Sequence, residues 1–168
     1  KNRLIDSFKS NAVHHAILFS GQKGSANLSL SIAFSTYINC EQKSEIDSCG
    51  ECSSCIKMDK LIHPDLNFVF PVAPTPKINK EVISDKFIES WRSSVIESPY
   101  LSIDDWFEIY GFENKQPNIS KDEVRNLIKK LTLKPFESNF KINILWLPEF
   151  LHLSTSNAML KVLEAVSY

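Results

Sequence analysis

The sequence predicts an α/β fold, a parallel sheet flanked by helices with a small metal module, and three observations carry that reading. Residues 16–19 form a short apolar run without alternation, which passes through a glycine loop at Gly21 and Gly24 into a helical pattern. Residues 66–70, with Leu66, Phe68, Val69 and Phe70 apolar, and residues 141–147 are two further strand-like stretches, each running into a proline, Pro71 and Pro148. A short apolar run without alternation, as at 16–19, suits a strand covered on both faces by helices. Four cysteines fall between Cys40 and Cys55 and nowhere else. A chain of 168 residues, 43% hydrophobic and 23% charged, is ordinary globular composition and long enough for one sizeable core. Its net charge of -1 gives no bulk attraction to nucleic acid, so contact with DNA would need a local basic patch.

In chain order, residues 1–13 read as an amphipathic helix with Leu4, Ile5 and Phe8 on one face, packed beside the first strand. The strand at 16–19 is expected to be buried. Leu28, Leu30, Ile32, Ala33, Phe34 and Ile38 fit a helix from Ala26 to about Asn39, completing the start of a βα unit. Residues 57–62 read as a short helix ended by His63-Pro64-Asp65, since Pro64 biases His63 out of the helical region. The second strand follows, with Leu66, Phe68, Val69 and Phe70 as its apolar positions.

Residues 72–118 read as an insert, acidic overall and rich in aromatic residues. Phe87, Ile88, Trp91 and Val95 share one helix face, and Ile103, Trp106, Phe107 and Tyr110 share another beyond the break at Pro99. Such stripes read as a local core, with a partner-docking surface as the alternative. Ser120-Lys121-Asp122-Glu123 matches the capping box S-x-x-E, followed by Val124, Leu127, Ile128 and Leu131 at helical spacing. Lys121, Arg125 and Lys129 recur every four residues on its outer face. They read as a solvated face or, alternatively, as a surface that tracks a DNA backbone. The third strand at 141–147 and a final helix at 154–166, with Met159, Leu160 and Leu163 facing inward, complete the pattern, truncated before the later strands of such a sheet.

The cysteines are spaced C-x8-C-x2-C-x2-C, at Cys40, Cys49, Cys52 and Cys55. Four thiolates can close a tetrahedral Zn²⁺ shell with no position left for substrate, which makes such a site structural. A redox or disulfide cluster is the alternative, and His63 is a spare ligand that reads as a loop histidine. Cysteines gathered for metal, the absence of a long apolar run and the lack of a basic-then-apolar N-terminal layout together read as a cytoplasmic protein.

The glycine loop stands where a phosphate-binding loop, G-x-x-x-x-G-K-[ST], would stand, and it keeps the frame without the chemistry. Gly21 fills the first glycine, but Ala26 replaces the last glycine, Asn27 the lysine and Leu28 the hydroxyl residue. Lys23 lies inside the loop and not at the helix start. The third strand ends in Pro148-Glu149 where an Asp for Mg²⁺ would fall. No catalytic residue and no bound nucleotide are expected, and Glu149 reads as a solvated turn residue.

These motifs together resemble the N-terminal ATPase-like (AAA+ type) domain of the bacterial DNA polymerase III clamp-loader subunits. His15 to Gly21 looks like that family's strand into its loop, Cys40 to Cys55 has the spacing of its zinc module, and His63-Pro64-Asp65 precedes the second strand as in the family. Lys141 to Glu149 resembles its Walker B strand, and Asn157-Ala158-Met159-Leu160-Lys161-Val162-Leu163-Glu164 resembles its N-A-L-L-K-x-L-E segment. Ala165 departs from the Glu-Pro that would follow. Asn27 in place of the lysine and Pro148-Glu149 in place of an Asp-Glu pair are similar to the pattern of the delta prime branch. That branch is used as a rigid scaffold in a heteropentamer with gamma/tau and delta type subunits, and it acts on the sliding clamp and primer-template DNA within the polymerase holoenzyme. The resemblance thus implies zinc, no ATPase of its own, and a lid, collar and Ser-Arg-Cys segment beyond Tyr168. An active gamma-type ATPase and a zinc-containing nucleic-acid-binding module are the alternative readings.

Overall fold

Helix α1 (Asn2–Lys9) places Leu4, Ile5 and Phe8 on one face, and Ile5 is buried against Phe34 and Tyr37 of helix α2 (Asn27–Asn39). Phe8 meets Tyr37 edge-on at 5.8 Å and Phe140 at 5.9 Å, while Val13, Phe19 and Ile38 close the margin of this core. The computed structural model describes residues 2–112 and 115–165. The chain forms two compact units, Lys1–Asn67 with Pro135–Ile144, and Phe68–Lys134 with Leu145–Tyr168. The first holds α1, α2 and helix α3 (Ser53–Asp59), which starts at the third cysteine and so lies earlier than the 57–62 expected from the sequence.

The expected first strand does not form. Residues 16–19 are irregular, and Ile17 and Leu18 are 40% and 79% exposed where burial was expected. A strand exists only where a neighbour accepts and donates its backbone hydrogen bonds. Among the described residues, no backbone bond joins 16–19 to another segment. Helix α1 accordingly packs on α2 and not beside a strand.

The other two apolar runs pair as β1 (Leu66–Val69) and β2 (Ile142–Leu145), a two-stranded parallel sheet among the described residues. Ile142 N–H donates to the Asp65 carbonyl, and Trp146 N–H to the Val69 carbonyl, both at 2.8 Å. At the entrance to β1, the fully buried carboxylate of Asp65 accepts the amides of Phe136, Glu137 and Ser138 at 2.6, 2.9 and 2.9 Å. Burial works to raise its pKa, but these three donors outweigh burial and leave it below its ordinary value of 3.8. His63, 2% exposed, accepts the Asp65 amide on Nδ1 at 3.1 Å, so its proton sits on Nε2, 3.0 Å from Ser138 Oγ. Burial pushes the His63 pKa below 6.5 against the opposing pull of Glu137 and Asp65.

The second unit is built on aromatic packing. A 3-10 turn (Ser84–Phe87) leads into α4 (Ile88–Glu97), followed by α5 (Ile103–Tyr110), α6 (Lys121–Leu131) and α7 (Leu153–Ala165). Val166, expected in the last helix, and residues 113 and 114 of the insert lie outside the described residues. Trp91 stacks on Phe70 at 4.7 Å, and Trp106 meets Phe70 edge-on at 5.4 Å while donating Nε1–H to the Pro71 carbonyl at 2.9 Å. The two stripes of the insert thus close on the end of the β1 run as a core. Val69, Ile119, Val124 and Leu127 form a second cluster, with Met159 and Ala158 of α7 against it.

Ser120 caps α6 as its sequence predicts, its side chain accepting the Glu123 amide at 3.2 Å. The other half of the capping box is diverted. Glu123, 1% exposed, turns to Ser84, accepting its backbone amide and, at 2.8 Å, its hydroxyl. Burial raises the Glu123 pKa above 4.5, against those two bonds.

Both His63 and Asp65 have native pKa values below their unfolded ones, so their stabilisation is complete above those values and drains as pH falls. The decline begins below 6.5 for His63 and continues below 3.8 for Asp65. Replacing Asp65→Asn puts an amide donor against three amide donors, with an expected cost of about 3 kcal/mol at neutral pH. Urea unfolding from pH 7 to pH 3 should show that loss and a flatter acid limb in the variant. A variant as stable as the parent would show that this carboxylate is not a structural clamp.

Candidate metal centre

Each cysteine is set by a local feature. Cys40 is the C-terminal cap of α2, Cys52 is the N-terminal cap of α3 and Cys55 lies in its first turn. Gly50 turns the chain between Cys49 and Cys52 at φ +76, a conformation that L side chains avoid. The four sulfurs all lie within 4.8 Å of one another, with Cys40 to Cys49 at 3.5 Å and Cys49 to Cys55 at 3.9 Å. A tetrahedral shell with metal–sulfur bonds of about 2.3 Å places its sulfurs about 3.8 Å apart, so the spacing fits one four-coordinate ion. All four are free thiols with no disulfide.

The backbone is already arranged for thiolate. Cys49 N–H donates to Cys40 Sγ and Cys52 N–H to Cys49 Sγ, both at 3.3 Å, and Cys55 N–H donates to Cys52 Sγ at 3.4 Å. Backbone amides of Glu51 and Cys52 pull Cys49 down to about 6, whereas burial pushes Cys55 up to about 12. An entering cation would therefore have to displace the Cys55 proton. His63 is not among these ligands. It is held by Asp65 and Ser138, a structural role that its place beside a proline did not reveal.

The other sequence-predicted residues are dispersed. Ala26 caps α2 without a side-chain hydrogen bond, and no acidic residue stands in the first turn. Gly24 takes φ +75, and the Asn27 side chain lies over Gly21, where an added Cβ would meet it at 3.0 Å. Leu28 is buried and so turns its side chain into the protein. Leu147 takes φ +61 after β2, leading into the short 3-10 turn Pro148–Phe150, and Glu149 there is exposed. Lys121, Arg125 and Lys129 share the exposed face of α6, but Arg125 is engaged by Asp122 at 2.9 Å.

A family model described as DNA polymerase III, delta subunit, matches residues 1–165. The chain belongs to that family. Among curated proteins it is 33% identical over 69 residues to the DNA polymerase III subunit delta' of Escherichia coli (strain K12), covering 41% of this chain and 21% of that protein. It is 31% identical over 81 residues to the delta' subunit of Yersinia pestis, covering 48% and 24%. It is also 26% identical over 132 residues to the tau/gamma subunit of Haemophilus influenzae (strain ATCC 51907 / DSM 11121 / KW20 / Rd), covering 79% and 17%. The chain thus spans about a fifth of the length of these relatives, and both delta' and tau/gamma proteins are among them. Among the described residues no helix is long and apolar enough to cross a membrane.

Metal titration should release protons, one of them from Cys55, and calorimetry in two buffers of different ionisation enthalpy would count them. Heats independent of buffer would show that the sulfurs do not close on the ion.

Proposed function

We propose that this chain belongs to a non-hydrolysing, delta prime type clamp-loader subunit, a scaffold in the ATP-dependent loading of a sliding clamp during DNA replication. The observation that carries the reading is the pair of charge losses at the two places where phosphates and Mg²⁺ would be held. Asn27 and Leu28 stand at the lysine and hydroxyl positions, and Pro148 stands where the Mg²⁺ ligand would fall. Without those charges the β- and γ-phosphates lose most of their electrostatic compensation. Glu149, the acidic residue next to Pro148, is exposed in a tight turn.

The four-cysteine centre holds structural Zn²⁺ in this reading, since an all-sulfur shell leaves no position for substrate. Its partners are gamma/tau and delta type subunits of a heteropentamer, with clamp and primer-template DNA reached through the assembly in the cytoplasm. The exposed basic face of Lys121, Arg125 and Lys129 supports a second reading, as a nucleic-acid-binding module that touches a DNA backbone.

Reconstitution of the full-length protein with candidate clamp-loader subunits tests the assignment. The expected result is an assembly whose clamp loading requires this protein, and whose ATP turnover is unchanged within about twofold by Asn27→Ala. Loss of turnover in that variant would contradict the scaffold reading and favour the gamma type. Failure to assemble, with salt-sensitive DNA binding by the protein alone that disappears on neutralising the three basic residues, would favour the nucleic-acid module.

A further inference from the structure

Glu123 in the first turn of α6 and Ser84 in the 3-10 turn Ser84–Phe87 are 1% and 0% exposed, and each is the other's partner. The Ser84 amide donates to Glu123 Oε2, and the Ser84 hydroxyl lies 2.8 Å from Glu123 Oε1 and 3.2 Å from the Phe68 carbonyl. A hydroxyl has one proton, and here it faces two acceptors. An ionised Glu123 can only accept, so a hydroxyl proton given to Oε1 is withheld from the Phe68 carbonyl. The buried charge is then held by one amide and one shared hydroxyl. Asp65, equally buried, takes three backbone amides to remain ionised. A protonated Glu123 matches every group. Its Oε1–H donates to Ser84 Oγ, the Ser84 O–H turns to the Phe68 carbonyl, and the Ser84 amide keeps Oε2, so each donor has its own acceptor.

The surrounding charges do not compensate an anion there. Asp85, next in the turn, adds a like charge, and Lys130 of α6 is drawn to Asp85 at 2.6 Å, with Asn126 on the other Asp85 oxygen at 2.9 Å. Lys86 of the turn reaches the Lys80 carbonyl at 2.8 Å, and Arg92 of α4 is set against Glu89 and Asp85. On α6, Arg125 pairs with Asp122 and both Lys121 and Lys129 are exposed, as are Lys161 and Glu164 of α7. Burial, the largest influence on the Glu123 carboxyl, also favours its neutral form. We propose that Glu123 carries its proton at neutral pH and serves as a proton-dependent latch, fastening the Ser84 turn of the insert to the start of α6 and to Phe68 of β1. When the Oε1–H bond breaks and the proton passes to solvent hydroxide, the carboxylate becomes a buried charge with two donors, and hydration draws it out of the fold and frees the turn. Phe87, at the end of that turn, packs edge-on against Tyr110 and Phe112 at 4.9 and 5.9 Å, so release loosens the aromatic core of the insert. The latch lies within the second unit and does not depend on the clamp-loading assignment.

Infrared difference spectra of the protein against Glu123→Gln at neutral pH read the proton directly, because a carboxylic acid has a carbonyl band that carboxylates lack. One such band is expected. The glutamine variant imitates the neutral acid, its Nε2–H donating to Ser84 Oγ while its oxygen accepts the Ser84 amide. The native parent holds a proton that its unfolded chain has lost above 4.5, so the parent loses stability as pH rises from there until the native group titrates. In urea, the unfolding constant of the parent should therefore rise relative to that of Glu123→Gln by about tenfold per pH unit, and roughly a hundredfold between pH 5 and pH 7. Carboxyl ¹³C spectra of the parent alone, assigned through its own side-chain protons, keep the test independent of whether the variant folds. The Glu123 signal should stand at its protonated position at pH 7, and exchange of the Ser84 amide should accelerate beyond its intrinsic rise with base as that signal moves. Absence of the acid band, a Glu123 signal at its ionised position at pH 7, or an unfolding ratio that stays flat from pH 5 to pH 7 would each overturn the proposal. So would titration of Glu123 without faster exchange at Ser84.

Discussion

Three amides converging on one buried carboxylate hold the first unit together. Asp65 enters β1 immediately after a proline, and its carboxylate takes the amides of Phe136, Glu137 and Ser138, which lie more than seventy residues further along the chain. A carboxylate with this many donors stays ionised at a depth where an unpaired charge would be prohibitively costly. The same contact fixes the approach to β2, because Ile142 pairs with the Asp65 carbonyl. His63 completes the arrangement by accepting the Asp65 amide, and so the short segment after α3 determines the entrance to the parallel strand pair. Three of the residues so fixed, His63, Glu137 and Ser138, stand in the wall of a cavity beside the cysteine centre.

The cysteine module and the glycine loop sit at opposite ends of α2 and use it differently. At its C-terminal end, Cys40 begins a set of sulfurs whose spacing and amide contacts suit one tetrahedral ion. At its N-terminal end, Gly24 and Gly21 allow the chain to turn tightly, but the helix start carries Asn27 and Leu28. A loop of this kind lacks, at Asn27 and Leu28, the lysine and hydroxyl that hold a triphosphate and its Mg²⁺.

Much of this was legible in the residues, for reasons that differ by element. The cysteine spacing is a local signal, and all four sulfurs converge. Helix α6 was readable from Ser120 and its apolar period, yet the partner of Glu123 was not, because Ser84 reaches it from 39 residues away and outcompetes the local amide. The apolar run at 16–19 was read as a buried strand and is irregular and exposed, since hydrophobicity reports a preference for burial while a strand also needs a neighbour. The aromatic stripes of the insert were visible as helix faces, but stacking of Trp91 on Phe70 depends on where β1 ends. His63 carried no local sign of burial. Its place followed from Asp65, whose own long-range donors no spacing rule could have paired.

The account turns on whether the loop at residues 21–28 is a shape without a function in phosphate binding. Calorimetric titration of MgATP into the isolated chain measures that directly. The lost lysine, hydroxyl and Asp positions, now Asn27, Leu28 and Pro148, predict no saturable heat up to about millimolar nucleotide, the range where binding free energy falls to about 4 kcal/mol. Tight, stoichiometric binding, at micromolar affinity or better and abolished by Gly24→Ala, would contradict it.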